Sequence, residues 1–418
     1  MFLVNLGYKW GPILANSPRG IILNASGIES AQALARNRDE FPDVVLFDPQ
    51  LYLAALSSES ALSRCVKLAS YSWFPIELGE EEGRAERFAA QWPPEIRHED
   101  VPTLVESAIQ FQEDLGVSSL IIPSLLTVNP LADLREEFSL VDAGIAFAEA
   151  TTDKPLFATF AVSDICFENQ DPTRNLLLMT AIDQFTARPE LVGVYLVINN
   201  TRGETNRIID RTVARSILEF CNSVGLQGGK EIIVNYTDSF GLVCIAAGAS
   251  SFASGIFQKD KRLCLDDFAD SGFGRLFPKF YSHATLNEYL IQRDLMELRD
   301  NRLLRLLAPD ETEASSNLFE VLRAGNSPEI LPEWEERQNN IAGALAHYIE
   351  LMDRVEQEFQ AAGAEEKMQM ALVWLQEAES HCAYIQTRLT DYQGDMRHIH
   401  VWRAAYEEFL GSNYPDLI

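Results

Sequence analysis

The sequence predicts an α/β fold: a (β/α)8 TIM barrel followed by a C-terminal all-helical domain. Short apolar runs alternate with amphipathic stretches eight times over about 260 residues, which is typical of a barrel rather than of an open doubly wound sheet. The stretch 231–258 holds a strand, a short apolar helix and a second strand, so it predicts a parallel pair joined by a right-handed crossover. With 418 residues and 47% hydrophobic side chains, the chain can bury a large core.

Eight runs are predicted as strands, because they are apolar and mostly end in polar or turn residues. In order, these are residues 20–24, 43–48, 67–71, 118–123, 155–162, 192–198, 232–234 and 251–257. The third of them has the weakest pattern, and the first twenty residues predict no element. Helices are predicted between them at residues 30–40, 102–115, 131–150, 173–187, 204–224 and 240–247.

In the C-terminal quarter of the sequence, helix patterns replace the alternation of strand and helix patterns. We assign residues 1–308 to the barrel, 309–332 to a connector with one short helix, and 333–418 to a helical domain. Apolar residues recur at three- and four-residue spacing in 334–361, 364–389 and 398–410. This pattern predicts three helices whose apolar faces form a core or an interface with a partner protein.

Composition argues against several classes of function. A formal net charge of −28 disfavours tRNA and other nucleic acids, whose phosphates are bound by Lys and Arg. No apolar run has the roughly 18 residues that a membrane span needs, and the N-terminus lacks a secretory signal pattern, so we expect a cytoplasmic protein without membrane contact. The six cysteines are scattered, which predicts neither a metal site nor disulfides. Nucleotide-loop and zinc-protease motifs are missing, and we expect no cofactor.

Function in such barrels gathers at the carboxyl ends of the strands. The residues there are Asn24, Asp48, Gln50, Ser124, Ser163, Asp164, Asn199, Asn200, Glu204, Tyr236, Asp238 and Gln258. Asp48 is the strongest candidate, because a carboxylate after a wholly apolar strand can be tuned for acid, base or nucleophilic chemistry. It could equally cap the turn at Pro49. Asp164 and Asp238 precede helices and could be helix N-caps.

Four segments of the sequence resemble tRNA-guanine transglycosylases. AGASSFASGIFQKDKR, residues 247–262, is similar to the last barrel strand of that family. YLVINNTRGE, residues 195–204, is similar to its sixth-strand region and keeps Gly203 and Glu204. VVLFDPQLYL, residues 44–53, places Asp48 on the first conserved aspartate of the family, and KFYSHATLNEYL, residues 279–290, resembles the helix after its zinc cysteines.

The resemblance also has departures. The nucleophilic aspartate of the family falls on Ala253, its second base-reading aspartate on Ser124 and its base-reading glutamine on Ala161. A methyl group cannot form a glycosyl ester. Only Cys264 lies near the expected zinc ligands. The resemblance therefore implies a diverged member whose inherited chemistry is at most partial.

We expect Asp48 to be the catalytic residue of this site. Its expected ligand contacts are Gln50, Ser124, Asn199, Gly203, Glu204, Asp238 and Gln258. The ligand implied by the resemblance is a 7-deazaguanine-type base, free or attached to a protein. The implied setting is a bacterial anti-phage island of the type IV CBASS kind.

Two other functions fit the sequence. One is a non-catalytic scaffold that binds a partner protein in a defence complex, which the loss of the nucleophile favours. The other is an unrelated barrel enzyme, such as a lyase or a flavin oxidoreductase, because this fold hosts many chemistries.

Overall fold

The computed structural model describes residues 1–6, 11–27, 38–56, 68–74, 76, 91, 96–201, 207–255, 258–265, 277–389 and 396–418. Nine parallel strands form one curled sheet in the order β3-β2-β1-β9-β8-β7-β6-β4, with β5 beside β6. They are β1 (Phe2–Leu6), β2 (Gly20–Asn24), β3 (Val44–Asp48), β4 (Leu120–Ile122), β5 (Leu126–Thr127), β6 (Leu156–Ser163), β7 (Gly193–Asn199), β8 (Glu231–Asn235) and β9 (Ser251–Ser254). The predicted α/β class with a parallel sheet is confirmed.

The curl follows from contacts between strands that are distant in the sheet. Tyr195 of β7 donates a hydrogen bond to Asp48 of β3 across 2.9 Å, although four strands separate β7 from β3. Only a strongly curved sheet brings these two side chains together on one inner face. At the two sheet ends, the Ser118 amide before β4 donates to the Val45 carbonyl of β3 at 2.8 Å, and the Val45 amide donates to Ser118 Oγ at 3.0 Å.

Two strand predictions need correction. Residues 2–6, in the stretch that predicted no element, form β1, which pairs with β2 on one side and β9 on the other. Residues 68–71, the described part of the predicted third strand, are the end of a helix and a turn. Tyr71 stacks on Trp73 at 4.3 Å between ring centroids and packs edge-on against Phe47. Aromatic packing, not strand pairing, therefore holds this segment.

The helices on the outside of the sheet largely follow the predicted pattern. They are α1 (Gly11–Leu14), α2 (Val101–Leu115), α3 (Arg135–Thr151), α4 (Leu176–Thr186), α5 (Arg211–Phe220), α6 (Phe240–Ala246) and α7 (Gln258–Lys261). The predicted helix 131–150 begins four residues late, since Asn129 and Asp133 accept local backbone hydrogen bonds in the preceding turns. Of the predicted helix 30–40, residues 30–37 lie outside the described residues, and residues 38–40 form a 3-10 turn.

The resemblance implied a helix at residues 279–290, and this expectation is wrong. The segment forms an antiparallel hairpin of β10 (Lys279–Ser282) and β11 (Asn287–Leu290). Phe280 and Tyr289 are register partners on one buried face. Aromatic residues in both segments, at Phe280, Tyr281 and Tyr289, favour strands over a helix.

The remaining helices are α8 (Asp294–Asp300), α9 (Ser316–Arg323), α10 (Ala342–Ala361), α11 (Ala364–Gln386) and α12 (Arg397–Asn413). The apolar faces of α10, α11 and α12 are continuous with the core of the sheet. Phe2 of β1 meets Tyr348 of α10 edge-on at 6.1 Å, and Trp402 of α12 donates to the Ile208 carbonyl at 2.9 Å. A smaller core joins the hairpin to α8 and α9 around Trp334. Within the described part of the chain, no helix combines the length and apolarity needed to cross a bilayer.

Candidate functional site

The strand register places a row of polar side chains on the inner face of the sheet. Asn24 at the end of β2 is the register partner of Asp48 at the end of β3. Asn5 of β1 shares this face, because its register partner Ile22 lies two residues before Asn24. On the other side, Asn235 of β8 is in register with Ala253 of β9. The carboxyl ends of four strands thus bring polar groups to one interior layer.

Asp48 is the centre of this layer and has no exposed surface. Its Oδ2 accepts hydrogen bonds from the Tyr52 hydroxyl at 2.6 Å and the Tyr195 hydroxyl at 2.9 Å. Its Oδ1 accepts from the Gln50 backbone amide at 3.0 Å. The last contact is the turn cap that was the alternative role of Asp48, so one carboxylate both caps the Pro49 turn and holds two tyrosines.

The contacts continue across the interior to β8 and β1. Tyr195 Oη accepts from Asn235 Nδ2, and Asn235 Oδ1 accepts from Asn5 Nδ2 at 2.6 Å. Asn235 Oδ1 also accepts from the Tyr236 backbone amide at 2.7 Å. We call the connected set the Asp48 network; its members are Asn5, Asp48, Gln50, Tyr52, Tyr195, Asn235 and Tyr236.

Two members of the network have left-handed backbone conformations. Gln50 has φ 53° and Tyr236 has φ 59°, which side-chain-bearing residues adopt at a cost in energy. Their side chains meet, because Gln50 Nε2 donates to the Tyr236 hydroxyl at 3.0 Å. Gln50 Oε1 also accepts from the Ser26 backbone amide at 2.7 Å. Strained backbone on two strand ends is thus used to join them inside the sheet.

Burial raises the pKa of Asp48 to about 6, against the hydrogen bonds from Tyr52, Tyr195 and Gln50, which lower it. The donors that lower the pKa of Asp48 are two hydroxyls and one backbone amide, and no Lys or Arg of the described chain is among them. A carboxyl group that titrates near neutral pH can donate or accept a proton under physiological conditions. Burial likewise raises the pKa values of Tyr52, Tyr195 and Tyr236, which therefore stay neutral donors.

Two amide oxygens beside Asp48 lack hydrogen bonds. Asn24 Oδ1 and Asn5 Oδ1 are buried, and neither accepts from any described residue. The two side chains are 4% and 0% exposed. A buried acceptor without a donor costs roughly 1–3 kcal/mol. The inner wall formed by β1, β2 and β3 is therefore rich in acceptors and short of donors.

A second polar group lies at the same end of the sheet, between the strands and the C-terminal helices. Arg207 Nε donates to Asp238 Oδ2 at 3.0 Å, and Lys261 Nζ lies 3.9 Å from Asp238 Oδ1. Lys261 also forms an ion pair with Glu288 of the hairpin. We call Arg207, Asp238, Lys261 and Glu288 the ion-pair cluster.

The ion-pair cluster also binds the helical region. The Tyr348 hydroxyl of α10 donates to Asp238 Oδ1 at 3.3 Å, and the Lys261 ammonium lies 4.9 Å from the Tyr348 ring centroid. Burial alone would lower the pKa of Lys261, but Glu288 and Asp238 raise it above its ordinary value. Burial would raise the pKa of Glu288, but Lys261, Lys279 and Arg207 hold it well below. The cluster thus combines two basic and two acidic side chains.

The predicted site residues fall into separate places. Asp48 and Gln50 lie together in the Asp48 network, whereas Asp238 belongs to the ion-pair cluster. Ser124 is buried between β4 and β5, where its hydroxyl donates to the Leu125 carbonyl at 3.4 Å. Asn199 Oδ1 accepts from the Leu265 amide at 3.1 Å and so ties the segment after α7 to β7.

Three predicted contacts cannot be placed by the structure. Gly203 and Glu204 lie outside the described residues, as does the side chain of Gln258, whose backbone begins α7. The roles of all seven residues as ligand contacts stay predictions. Neither Asp164 nor Asp238 is at a helix N-cap position, which Ser163 and Ser239 occupy instead. Asp164 accepts from Thr201 at 2.8 and 2.9 Å, and Asp238 binds Arg207.

Sequence reasoning missed Asn5, Tyr52, Tyr195 and Asn235 as site residues. Tyr195 interrupts the apolar run of β7 and Asn235 ends that of β8, and these polar positions are the signal that could have identified them. Tyr52 lies four residues beyond Asp48, in a 3-10 turn that returns its hydroxyl to the strand end. Asn5 could not be found, because β1 itself was not predicted.

Among the described residues, no three His, Cys, Asp or Glu side chains are grouped closely enough to hold a metal ion. Ala253, at the nucleophile position of the transglycosylases, is fully buried beside Asn235. The interior layer therefore contains one carboxyl group, three tyrosine hydroxyls and the amides of Asn5, Asn24, Gln50 and Asn235. This set offers hydrogen-bond acceptors and neutral donors, and it can move one proton, at Asp48.

No family model matches the sequence, and no curated protein matches it either. Among solved structures, the chain is similar to a type I 3-dehydroquinate dehydratase from Clostridium difficile, with 11% identity, a TM-score of 0.31, and coverage of 64% of this chain and 88% of that one. It is also similar to a homocysteine methyltransferase from Escherichia coli, with 15% identity, a TM-score of 0.28, and coverage of 64% and 93%.

Proposed function

We propose that the interior layer binds a small planar base that carries N–H donors along one edge, a 7-deazaguanine-type base either free or attached to a protein. The observation that carries this proposal is the surplus of acceptors around Asp48. The amide oxygens of Asn5 and Asn24 have no donors among the described residues, and both lie on the wall that holds Asp48. A ligand N–H would satisfy an acceptor that now costs roughly 1–3 kcal/mol.

The ring shape of the ligand follows from the aromatic members of the layer. The rings of Tyr52, Tyr195 and Tyr236 are buried around the same carboxyl group, and aromatic faces favour a flat partner. Because Asp48 has no exposed surface, binding must exchange internal hydrogen bonds for ligand bonds. The ligand therefore has to place donors where the hydroxyls of Tyr52 and Tyr195 now lie.

We propose binding rather than base exchange through a covalent ester, since Ala253 offers no nucleophile. Asp48 is the group that would transfer a proton if a bond of the ligand is broken.

The sheet has nine strands, and β4 and β5 count as one interrupted strand. We therefore propose that it is a complete (β/α)8 barrel, closed between β3 and β4 at Ser118. The bonds between Ser118 and Val45 support this closure.

Calorimetry tests the ligand class. Guanine and 7-deazaguanine present an amino group beside a ring N–H, whereas hypoxanthine lacks the amino group. We expect the first two to bind and hypoxanthine to bind about ten-fold more weakly, the value of one hydrogen bond to a charged group. Asp48→Asn should weaken guanine binding about ten-fold. The result that defeats the proposal is the lack of binding by any purine or deazapurine.

Asp310→Asn is a matched control for Asp48→Asn. Asp310 is also a buried aspartate whose pKa burial raises, to about 7, and it accepts hydrogen bonds from Ser282 and the Ala284 amide. It lies in the hairpin region, away from the Asp48 network. Its variant should bind guanine like the wild type, and equal losses in both variants would show that general destabilisation, not ligand contact, explains the effect.

A non-catalytic scaffold is the second candidate, and one observation favours it. The carboxylate of Asp48 already has three donors within the chain, so it is stable without a ligand. Native mass spectrometry of the purified protein separates the two candidates, because the scaffold predicts a bound partner protein and no bound base. The anti-phage setting is proposed on the resemblance, and neighbouring genes for defence or deazaguanine synthesis would support it.

A further inference from the structure

Backbone amides fix the direction of the hydrogen bonds in the Asp48 network. The Tyr236 amide donates to Asn235 Oδ1 at 2.7 Å, and the Ser26 amide donates to Gln50 Oε1 at 2.7 Å. A backbone N–H can only donate, so neither side-chain amide can turn over without placing a donor against a donor. The Nδ2 atom of Asn235 must therefore donate, and it does so to the Tyr195 hydroxyl.

This direction makes Asp48 the final acceptor of the network. The Tyr195 hydroxyl accepts from Asn235, so its own hydrogen is directed to Asp48 Oδ2 at 2.9 Å. Tyr52 donates to the same oxygen at 2.6 Å, and the Gln50 amide donates to Oδ1 at 3.0 Å. Because each bond brings a donor to the carboxylate, the network is arranged around the anionic form of Asp48.

The Asn5 side chain adds a fixed acceptor to the same layer. Its Nδ2 donates to Asn235 Oδ1 at 2.6 Å and to the Asp260 carbonyl of α7 at 3.1 Å, which uses both of its hydrogens. Its Oδ1 is buried without a donor among the described residues, as is Oδ1 of Asn24, the register partner of Asp48. The wall thus offers one carboxylate and two amide oxygens as acceptors.

Two other buried carboxyl groups of the chain have a cation close by. Glu356 of α10 has no exposed surface and lies 3.1 Å from the Arg19 guanidinium. Burial raises the pKa of Asp310, but its hydrogen bonds and the charge of Arg354 lower it. For Asp48, the described chain supplies neutral donors and no basic side chain. A positive charge beside Asp48 is therefore left for a ligand to supply.

We propose that the interior layer selects a planar cation of the amidinium type, with two N–H groups along one edge, over neutral molecules of the same shape. The positive charge pairs with Asp48, and the remaining N–H groups satisfy the amide oxygens of Asn5 and Asn24. This selectivity rests on the proposed function in that the ligand lies in the interior layer. It adds a positive charge to the edge that carries the donors.

Benzamidine and benzamide are the probes, because both are planar and similar in size but only benzamidine is a cation. Calorimetry with the full chain at pH 7 measures their affinities for the wild type, Asp48→Asn and the control Asp310→Asn. Each variant removes one buried carboxyl group from a chain with a formal net charge of −28, so both leave the general attraction of cations nearly unchanged.

We expect the wild type and Asp310→Asn to bind benzamidine at least about ten-fold more tightly than benzamide, and Asp48→Asn to bind the two probes alike. Benzamidine binding to the wild type should weaken about ten-fold from pH 7 to pH 5, because Asp48 takes up a proton while benzamidine stays charged.

Equal affinity of the wild type for the two probes, or no binding of benzamidine, would show that the layer does not select a cation. A preference that persists in Asp48→Asn, or that is lost equally in Asp310→Asn, would also overturn the proposal. Guanine separates this proposal from the proposed function. Binding of guanine without benzamidine overturns the cation alone, and binding of benzamidine without any purine overturns the base alone.

Discussion

The Asp48 network and the ion-pair cluster lie at the same end of the sheet, yet they handle buried charge in opposite ways. In the ion-pair cluster, Asp238 meets Arg207 at 3.0 Å and has Lys261 nearby, so negative and positive groups balance. In the Asp48 network, the single carboxylate meets hydroxyls and amides. Basic neighbours hold the pKa of Glu288 well below its ordinary value, whereas burial without a cation raises the pKa of Asp48 to about 6.

This difference separates structure from chemistry. The ion-pair cluster connects β8, α7, the hairpin and α10, so its charges hold the helical region on the sheet. The Asp48 network connects strands to one another, and on its wall Asn5 Oδ1 and Asn24 Oδ1 have no donors among the described residues. A buried group with a pKa near neutrality is a better candidate for a catalytic or binding role than the paired side chains of the ion-pair cluster. Four experiments test whether the two regions differ in this way.

Asp238→Ala should have the largest effect. Removing the carboxylate takes a buried anion away from the cations of Arg207 and Lys261, and breaking a buried pair costs about 3–5 kcal/mol. Urea denaturation measures the loss in the free energy of unfolding. Asp133→Ala is the control, because it breaks the exposed pair with Arg135 and should cost at most about 1 kcal/mol. Similar losses for both variants would contradict the structural role of the cluster.

The pH dependence of stability should reveal Asp48. Its pKa is about 6 when folded and has an ordinary value of 3.8, so between these values the unfolded chain binds fewer protons than the folded one. Stability is therefore lost as pH rises from about 4 to about 6, by about 3 kcal/mol at 1.36 kcal/mol per pKa unit. The loss is complete above that window.

Urea denaturation of the wild type and Asp48→Asn at pH 4, 5, 6 and 7 measures this effect. Asp310, whose pKa burial raises to about 7, contributes equally to both proteins and cancels in the difference. We expect the wild type to lose stability relative to Asp48→Asn as the pH rises. A constant difference across the series would show that Asp48 is compensated by a group not seen in its contacts.

Ala253→Asp adds a second uncompensated carboxyl group beside Asn235. The position is fully buried, so at pH 7 we expect a loss of about 2 kcal/mol, together with no covalent glycosyl intermediate by mass spectrometry. Ala253→Asn, of similar size but neutral, is the control. The two variants should be equally stable near pH 4 and diverge as the pH rises. A covalent adduct with a guanine riboside would mean that the interior still accepts a ribosyl group.

The smallest expected effect is on tRNA. Lys261 and Arg207 are neutralised by Asp238 and Glu288, and the chain has a formal net charge of −28, so few cations can replace phosphate counterions. A gel shift at physiological salt should show no complex at sub-micromolar protein. A salt-dependent complex would show that the ion-pair cluster opens to a phosphate backbone, and would remove the contrast between the two regions.

The sequence predicted the sheet where local pattern and burial agree. The β-branched runs of β3 and β8 are buried on both faces and end in polar residues, so their position and the importance of Asp48 were readable. β1 was missed because its five residues lack clear flanking signals. Residues 68–71 were misread because so short a run, with Leu68, Ala69 and Tyr71, fits either a strand or a packed turn.

Local pattern decides which residues prefer extended or helical backbone and which side of an element is apolar, because these properties depend on neighbours in the chain. It therefore identified the parallel α/β class, the C-terminal helices and the carboxylate at the end of β3. The partners of that carboxylate depend on the curl of the sheet, which brings Tyr195 to within 2.9 Å of Asp48 across 147 positions of sequence. Such distant contacts also decide whether a buried acid is paired with a cation. Asp48 and Asp238 both follow strands in the sequence, yet only Asp238 contacts an Arg side chain in the folded protein.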